Sequence, residues 1–408
     1  MERKIYSTVF ALMLFFSLTI TTSLKAQKAP KSEKGTSFVV SDGSQFVPKS
    51  KYPEFSWDIT PVYYHFGDMN RVLKPEEEEF ISKRTTFITI EKSHAFHELG
   101  ATELGARHEV KAFKKLNADT KLLFYFNSAY ACPFSSFNKN FTTEKINKHP
   151  RLKKFLLVNK ETGELYSRSN YIWMTYFFDV LNPDFRKWWV RKVVKGVKIS
   201  GADGVFVDQM HGFYYLRKDK KAQVEKAQGE LIAALRKKLG SDKMILGNNA
   251  ADVKEVFPIV DAFMFEHYSK AVTTKENLLK EWGDMLRVAK AGKISVFRFG
   301  CSTEGTRLAK ADKALKEAEM PKLAQEQITY YLACYLIGAQ PYSYFQYGWG
   351  WDLEDGNLVD YPELEKPLGA PKGAYKRLCS DKWEFTREFE HASVWLDTEN
   401  KTAKIDWK

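Results

Sequence analysis

From residue 60 onward, short apolar runs alternate with longer stretches whose apolar residues recur at helical spacing. This alternation constrains the fold strongly, because strands separated by helices pair in parallel and have their faces covered by those helices. Eight apolar runs occur, at residues 61–67, 86–90, 121–127, 204–208, 244–248, 262–266, 294–299 and 342–347. Eight strand–helix units close into a barrel, so the chain is predicted to be an α/β protein built on a (β/α)8 TIM barrel.

The predicted helices occupy the stretches between these runs, at residues 75–84, 103–116, 183–199, 220–239, 274–290 and 321–337. Several begin with Pro or an acidic residue and end near Gly or a basic residue, as helix caps and dipoles prefer. A doubly wound open sheet is the competing fold. No Gly-rich phosphate-binding turn follows the first apolar run, and the barrel is therefore favoured.

Two segments depart from the alternation. Residues 129–178 are predicted to form a long insertion after the third strand, with a small hairpin around residues 160–163. Long loops at one end of a barrel usually build the substrate cleft. Near the C-terminus, short alternating segments around residues 397–400 predict a small antiparallel β appendage. The expected domains are a catalytic barrel over residues 51–366 and the appendage over residues 367–408.

The N-terminal segment is typical of an exported protein. Residues 2–4 are charged, residues 9–20 form an apolar run of 12 residues, and a small residue, Ala26, precedes Gln27. A membrane span needs about 20 residues, so residues 1–26 are interpreted as a cleavable signal peptide of a secreted or periplasmic protein. Residues 27–50 are rich in Lys, Ser, Gly and Pro and are expected to form a flexible arm. No further run is long enough to predict a membrane span.

The charge balance favours anionic partners. The chain has 63 basic and 51 acidic residues, and removal of residues 1–26 leaves 60 and 50, a net charge of +10. Such a balance suits acidic polysaccharides or membrane surfaces, and a basic surface without a specific partner is the alternative. Nucleic acid is not an expected partner, because an exported chain meets little of it.

Two carboxylates end buried strands, where barrel enzymes carry their chemistry. Asp208 closes the run GVFVD and Glu266 closes the run AFMFE. A charge placed there costs stability unless it is paired or has a task. Strands two steps apart have backbones about 9.6 Å apart, and inward-leaning side chains reduce this to roughly 5–9 Å, the separation used by glycosidase carboxylates. The alternatives are an Asp208 that caps the next segment and a Glu266 that forms a structural ion pair.

Polar and aromatic side chains at the other strand ends suit hydroxyl recognition and sugar stacking. The predicted substrate-binding residues are His65, Glu91, Asn127, Asn248, His267, Arg298, Tyr347, Trp349 and Trp351. A metal-dependent hydrolase is an alternative, because several His, Asp and Glu residues end these strands. The HExxH pattern and an HxH after the first strand are absent, so no metal or other cofactor is expected. The GxSxG motif of serine hydrolases is absent as well.

The sequence resembles glycosyl hydrolase-like family 15 and, more loosely, exported barrels of the endo-polygalactosaminidase type. The stretches that carry the resemblance are FSWDITPVYYHFG, DVLNPDFRKWWVRKV, GADGVFVDQ and PLGAPKGAY with REFEHASVWLD. In related barrels, the Asp that ends the fourth strand and a carboxylate that ends a later strand form the catalytic pair. The resemblance therefore implies that Asp208 and Glu266 are this pair.

The sequence thus predicts an exported glycoside hydrolase that cleaves a poly- or oligosaccharide, with a possible anionic substrate. Asp208 is expected to act as nucleophile or base and Glu266 as proton donor. A non-catalytic carbohydrate-binding barrel and a metal-dependent hydrolase are the alternatives. The sugar, the linkage, the stereochemical outcome and the oligomeric state stay open at this point.

Overall fold

The structure is a computed structural model, and it describes residues 37–170, 173–211, 214–267 and 273–408. The predicted signal peptide, residues 1–26, lies outside these ranges, as does the beginning of the predicted arm up to residue 36. All four cysteines fall within the described ranges, and none of them forms a disulfide.

Eight parallel strands form one sheet that follows chain order. The strands are β1 Tyr64–Phe66, β2 Phe87–Ile90, β3 Lys121–Asn127, β4 Gly204–Asp208, β5 Met244–Asn248, β6 Ala262–His267, β7 Ile294–Gly300 and β8 Ser343–Gly348. The sheet closes where Val62, just before β1, pairs in parallel with Phe345 of β8. The backbone N–H of Tyr63 donates to the Phe345 carbonyl at this seam. The predicted barrel is therefore confirmed.

Helices separate most of the strands at the predicted positions, but residues 249–261, between β5 and β6, contain none. They are α1 Pro75–Ser82, α2 Phe96–Leu99, α3 Thr102–Leu116, α4 Thr143–Lys148, α5 Pro183–Ser200, α6 Lys221–Leu239, α7 Lys275–Lys290 and α8 Lys313–Gly338. Local chemistry sets several of these ends. The Asn182 side chain accepts from the first turn of α5, and Gly201 ends that helix in the left-handed conformation; both are common capping choices. In the part of the chain that is described, no helix is long and apolar enough to cross a membrane.

Helix α8 begins eight residues before its predicted start, so Pro321 lies inside it. A proline is usually interpreted as a helix start because it has no N–H to donate. Here the Asp312 side chain accepts from the backbone N–H of Leu315 and caps an earlier first turn. This cap and the packing of α8 override the local signal of Pro321.

Alternate residues of each strand face the barrel interior, as the period of two requires. Inside, the Tyr63 hydroxyl donates to Thr89 Oγ1, and the ring of Tyr125 stacks on that of Phe206 at 5.6 Å. Outside, the ring of Phe263 in β6 stacks on Phe257 at 5.2 Å. By the same alternation, Asp208 of β4 and Glu266 of β6 lie on the inner face of the barrel.

Residues 37–50, which the sequence assigns to a flexible arm, are packed in the structure. Strands Phe38–Val39 and Gln45–Phe46 pair in antiparallel fashion. The Phe46 ring is buried and stacks on Tyr342, just before β8, at 4.7 Å. The polar composition of this segment conceals its few apolar residues, of which Phe38, Val40 and Phe46 are packed whereas Val39 and Val47 are exposed.

The insertion and the C-terminal segment both contain small antiparallel sheets. In the insertion, Val158 and Leu165 form an isolated antiparallel bridge on either side of the predicted turn at residues 160–163. Strands Ser167–Asn170 and Trp173–Tyr176 pair a few residues further along the chain. The C-terminal sheet confirms the predicted appendage. Its strands are β9 Lys376–Arg377, β10 Glu384–Glu388, β11 Ala392–Asp397 and β12 Thr402–Trp407.

Candidate active site

A cavity of about 420 Å³ opens at the carboxyl ends of the barrel strands. Both predicted catalytic residues line it. Strand ends, the loop after β8 and the insertion all contribute to its wall. The lining residues are His65, Glu91, Lys92, Tyr125, Asn127, Tyr130, Cys132, Arg168, Thr175, Phe206, Asp208, Gln209, Asn248, Glu266 and Trp351.

Asp208 ends β4 and accepts four hydrogen bonds. Its Oδ2 accepts from the Tyr125 hydroxyl at 2.5 Å and from Asn127 Nδ2 at 2.9 Å. Its Oδ1 accepts from Asn248 Nδ2 at 2.9 Å and from the backbone N–H of Gln209 at 2.7 Å. An ionised carboxylate offers only acceptor sites, so this set of donors fits the ionised form of Asp208.

Glu266 stands near the end of β6 in a different electrostatic setting. Its Oε1 accepts from Asn248 Nδ2 at 3.1 Å and its Oε2 accepts from Asn249 Nδ2 at 2.8 Å. Burial, followed by the charge of Asp208, raises the pKa of Glu266 to about 7, against the opposing effects of Arg298 and the two amides. This shift keeps a proton on Glu266 at higher pH than an ordinary glutamic acid, as a proton donor requires.

One amide nitrogen joins the two carboxylates. Asn248 Nδ2 lies 2.9 Å from Asp208 Oδ1 and 3.1 Å from Glu266 Oε1. Because both oxygens are hydrogen-bonded to this one nitrogen, they are at most about 6 Å apart, the sum of the two distances. The sequence predicts a separation in this region, but the role of Asn248 in setting it comes from the structure.

The residues that follow the two strands β4 and β5 have left-handed backbone conformations. Gln209 has φ 57° and Asn249 has φ 46°. Such conformations cost a side chain other than Gly about 1–3 kcal/mol and cluster at functional sites. Both residues serve the carboxylates: the Gln209 N–H donates to Asp208, and the Asn249 Oδ1 accepts from the backbone N–H of Glu266.

A cluster of His65, Glu91 and Lys92 also lines the cavity. His65 Nε2 is 2.6 Å from Glu91 Oε2, and Lys92 Nζ donates to Glu91 Oε1. Burial opposes the ionisation of Glu91, but Lys92 and His65 outweigh it and lower the pKa of Glu91 to about 2. Burial lowers the pKa of His65, so its imidazole is neutral near pH 7. Glu91 is thus committed to an ion pair with Lys92.

The predicted substrate-binding residues separate into those that reach the cavity and those that do not. The residues that reach it are His65, Glu91, Asn127, Asn248 and Trp351. Arg298 lies behind the wall, with its guanidinium 4.0 Å from the centre of the Trp351 ring. It also donates to the Gly350 carbonyl at 2.6 Å. Arg298 therefore orients Trp351 and does not line the cavity.

Tyr347 and Trp349, also predicted as substrate-binding residues, are not among the residues that line this cavity. Tyr347 faces outward from β8, and its hydroxyl donates to the Ala324 carbonyl of α8 at 2.9 Å. The period of two explains this, because its neighbour Gln346 takes the inward position. Trp349 packs against Gly356 in the following loop. The side chain of His267 lies outside the described part of the structure.

Several lining residues escaped the sequence analysis. Tyr125 is predictable as a lining residue, because it lies two residues before Asn127 and therefore on the same face of the strand. Lys92 follows Glu91 directly but has no pattern of its own. Arg168 and Thr175 belong to the insertion, whose path over the barrel no local pattern predicts.

Among the His, Asp and Glu residues that suggest the metal-dependent alternative, His94 lies shortly after the second strand. His94 is buried away from the cavity, and its Nε2 is 2.8 Å from Glu109 Oε1. Within the described ranges, no group of three or more His, Cys, Asp or Glu side chains is arranged to hold a metal ion.

A closed parallel barrel with two carboxylates in a polar cavity at its carboxyl end defines a (β/α)8-barrel enzyme with an acid–base type of site. The chain belongs to the family described as hypothetical glycosyl hydrolase family 15, whose model matches residues 114–393. It is accordingly a glycoside hydrolase, an enzyme that hydrolyses glycosidic bonds. No curated protein sequence matches the chain.

Solved structures with similar folds include three carbohydrate-active proteins. The glycoside hydrolase domain of PelA from Pseudomonas aeruginosa is 13% identical with a TM-score of 0.42, over 66% of this chain and 90% of that chain. An α-galactosidase from Thermus thermophilus is 14% identical with a TM-score of 0.46, over 86% and 68%. An α-amylase from Geobacillus thermoleovorans is 12% identical with a TM-score of 0.46, over 84% and 87%. At these identities and TM-scores, the similarity supports no conclusion about the function of this chain.

Proposed function

We propose that the enzyme hydrolyses glycosidic bonds with Asp208 as nucleophile and Glu266 as general acid and base. The observation that carries this proposal is the shared Asn248 amide, which holds two carboxylates of unlike character at one cavity. Asp208 is surrounded by donors suited to a carboxylate anion. Burial and the neighbouring Asp208 charge raise the pKa of Glu266 to about 7.

In the first step, an Asp208 oxygen attacks the anomeric carbon while Glu266 gives its proton to the departing glycosidic oxygen. The glycosidic C–O bond breaks, and a glycosyl ester of Asp208 remains. In the second step, Glu266, now ionised, takes a proton from water as the water oxygen attacks the anomeric carbon. This breaks the ester bond and restores both side chains to their initial states.

The separation of the carboxylates favours retention of anomeric configuration. Retaining glycosidases hold their carboxyl groups about 5–5.5 Å apart, whereas inverting enzymes need about 6.5–9.5 Å to admit a water molecule. The upper limit of about 6 Å, set by the two hydrogen bonds of Asn248, is shorter than the inverting range and supports the retaining mechanism. Proton NMR of the first product formed distinguishes the two outcomes directly.

We further propose that the protein is exported and acts on an anionic glycan. The proposal of export follows from residues 1–26, and that of an anionic substrate from the net charge of +10 that remains without them. Binding to an acidic glycan should weaken as salt is added, because added ions screen charges. Binding that is indifferent to salt would argue against the anionic substrate.

The test of the mechanism is a product-sizing assay on a polysaccharide panel with the variants Asp208→Asn and Glu266→Gln. Each variant is expected to lose at least about 10²-fold in turnover, since each removes one half of the acid–base chemistry. Asp252→Asn is the matched control, because Asp252 is an exposed carboxylate that pairs with Lys280 away from the cavity.

The same assay separates the alternatives. Near-normal turnover in both active-site variants would refute the assignment of the two carboxylates. A carbohydrate-binding barrel without catalysis predicts binding isotherms with no new reducing ends from the wild-type protein. A metal-dependent hydrolase predicts activity that a chelator removes and a divalent ion restores.

A further inference from the structure

The hairpin of the insertion places a cation at the active-site cavity. Strands Ser167–Asn170 and Trp173–Tyr176 pair so that Arg168 stands directly opposite Thr175. Residues opposite each other in an antiparallel pair project from the same face, and both of these residues line the cavity. The cavity therefore has an Arg and a Thr side by side on the wall formed by the insertion.

Arg168 differs from the other cation at the cavity, Lys92, in its partner. Lys92 donates to Glu91 and is neutralised by it. The side chain of Arg168 is exposed and is hydrogen-bonded to the Tyr130 hydroxyl. Among the described residues, it forms no ion pair with a carboxylate. A phenol satisfies only part of the five-donor guanidinium, so donors remain for another acceptor.

Thr175 supplies an independent observation at the same place. Its side chain is 3% exposed, and within the described structure its Oγ1 has no hydrogen-bond partner. A buried hydroxyl without a partner costs free energy that a bound polar group recovers.

The hairpin is held firmly enough to position these groups. The backbone N–H of Ala131 donates to the Tyr176 carbonyl at 2.8 Å, and that of Phe178 donates to the Ala129 carbonyl at 2.7 Å. The ring of Phe177 packs edge-on against Tyr130 at 4.9 Å. The hairpin is thus tied by backbone hydrogen bonds to the segment that leaves β3.

We propose that Arg168, with Thr175 beside it, is a specificity-determining residue that binds a carboxylate or sulfate group of the sugar next to the scissile bond. This inference rests on the proposed glycoside hydrolysis and names the residue that reads the substrate. Of the two basic side chains among the described residues that line the cavity, Lys92 is paired with Glu91, so Arg168 is the one placed to attract an anionic group and to offset the negative charge of Asp208.

The test measures binding and turnover with matched pairs of probes. The probes are a uronic-acid oligosaccharide and its carboxyl-reduced form, and a sulfated oligosaccharide and its desulfated form. Binding is measured by calorimetry in the Asp208→Asn background, so that turnover does not interfere. Arg168→Gln is compared with Arg151→Gln, which removes an exposed arginine of the same insertion that does not line the cavity.

In the Asp208→Asn background, we expect one anionic probe to bind at least about tenfold more tightly than its neutral counterpart, as a charge-assisted hydrogen bond allows. Arg168→Gln should abolish this preference, and Arg151→Gln should preserve it. Arg168→Lys should keep part of it, since it retains the charge but loses the planar fork. The pair that responds identifies the anion as carboxylate or sulfate.

Equal binding of both members of each pair, binding of none, or a preference that survives Arg168→Gln would overturn the proposal. Product formation by the wild-type enzyme in those cases would leave the hydrolase mechanism standing. Conversely, an Arg168-dependent preference without product from the wild-type enzyme would support the subsite and count against the proposed hydrolysis.

Discussion

Glu266 combines a catalytic advantage with a cost in stability, and both have the same physical origin. Its carboxyl group is buried beside Asp208, and these two influences raise its pKa to about 7. The shift keeps a proton available near neutral pH. It also means that the folded protein holds this carboxylate anion less favourably than the unfolded chain does.

The rate of hydrolysis should depend on pH through Glu266. The general acid must be protonated, so kcat/KM should fall as pH rises through about 7. The measurement is the pH profile with a natural oligosaccharide and with an aryl glycoside whose leaving group needs little acid assistance. The decline should be marked with the oligosaccharide and weaker with the aryl glycoside, and the residual activity of Glu266→Gln on the aryl glycoside should not show it. A decline that persists unchanged would assign the titration to another group.

The free energy of unfolding of the protein should decrease as Glu266 ionises. A carboxyl whose folded pKa is raised contributes stability below its unfolded pKa of about 4.5 and loses it as pH rises to about 7. Relative to Glu266→Gln, the wild-type protein should therefore lose up to about 3 kcal/mol between these pH values, with no further change above them. Urea unfolding at several pH values measures this difference, and Asp252→Asn should lack the same trend.

At the scale of elements, close packing between helix and strand leaves no room for a side chain at Gly196. A Cβ on Gly196 of α5 would lie 2.4 Å from Cε1 of Phe124 in β3. A Cβ on Gly283 of α7 would have no atom within 4 Å. Alanine is better than glycine in a helix by about 1 kcal/mol, so packing decides the sign of each substitution.

The two glycines therefore predict opposite outcomes for one chemical change. Gly196→Ala should destabilise the protein by about 1–3 kcal/mol, because the ring of Phe124 cannot move without disturbing the barrel wall. Gly283→Ala should stabilise it by about 0.5–1 kcal/mol. Chemical denaturation of both variants checks this. Equal effects of the two substitutions would show that the contact at Gly196 relaxes at little cost.

At the scale of the whole molecule, Arg387 of β10 joins the C-terminal sheet to the barrel. Its side chain is buried, and its Nη1 donates to the carbonyls of Leu336, Ile337 and Ala339 at the end of α8. These carbonyls have no partner within the helix and carry the negative end of its dipole. The guanidinium thus satisfies the helix end, and it forms no ion pair with a carboxylate of the described residues.

Replacement of Arg387 should weaken the packing of the C-terminal sheet against the barrel. Arg387→Leu leaves several buried carbonyls without donors, which should cost about 2–4 kcal/mol. Unfolding followed by the fluorescence of appendage tryptophans and by far-UV circular dichroism should coincide in the wild-type protein and separate in the variant. Arg377→Leu, at an exposed arginine on β9, is the control. Loss below about 0.5 kcal/mol would mean that other contacts hold the appendage.

Local pattern was sufficient for the elements, because strand and helix periods are properties of a few consecutive residues. The runs at 121–127, 204–208 and 244–248 match β3, β4 and β5 residue for residue. The same reasoning failed for α8, where a side-chain cap at Asp312 overrides Pro321. It also failed for residues 38–46, whose polar composition conceals two buried apolar side chains.

The sequence by itself determined the eight-stranded barrel and the two carboxylates at its carboxyl end, because strand alternation and strand termination are written in consecutive residues. Only the tertiary structure decided which side chains meet. It brought Asn248 between Asp208 and Glu266, turned Tyr347 outward, and placed Arg168 of the insertion at the cavity. The physical reason is that barrel closure and the path of the long insertion bring together residues distant in sequence, which local periodicity does not encode.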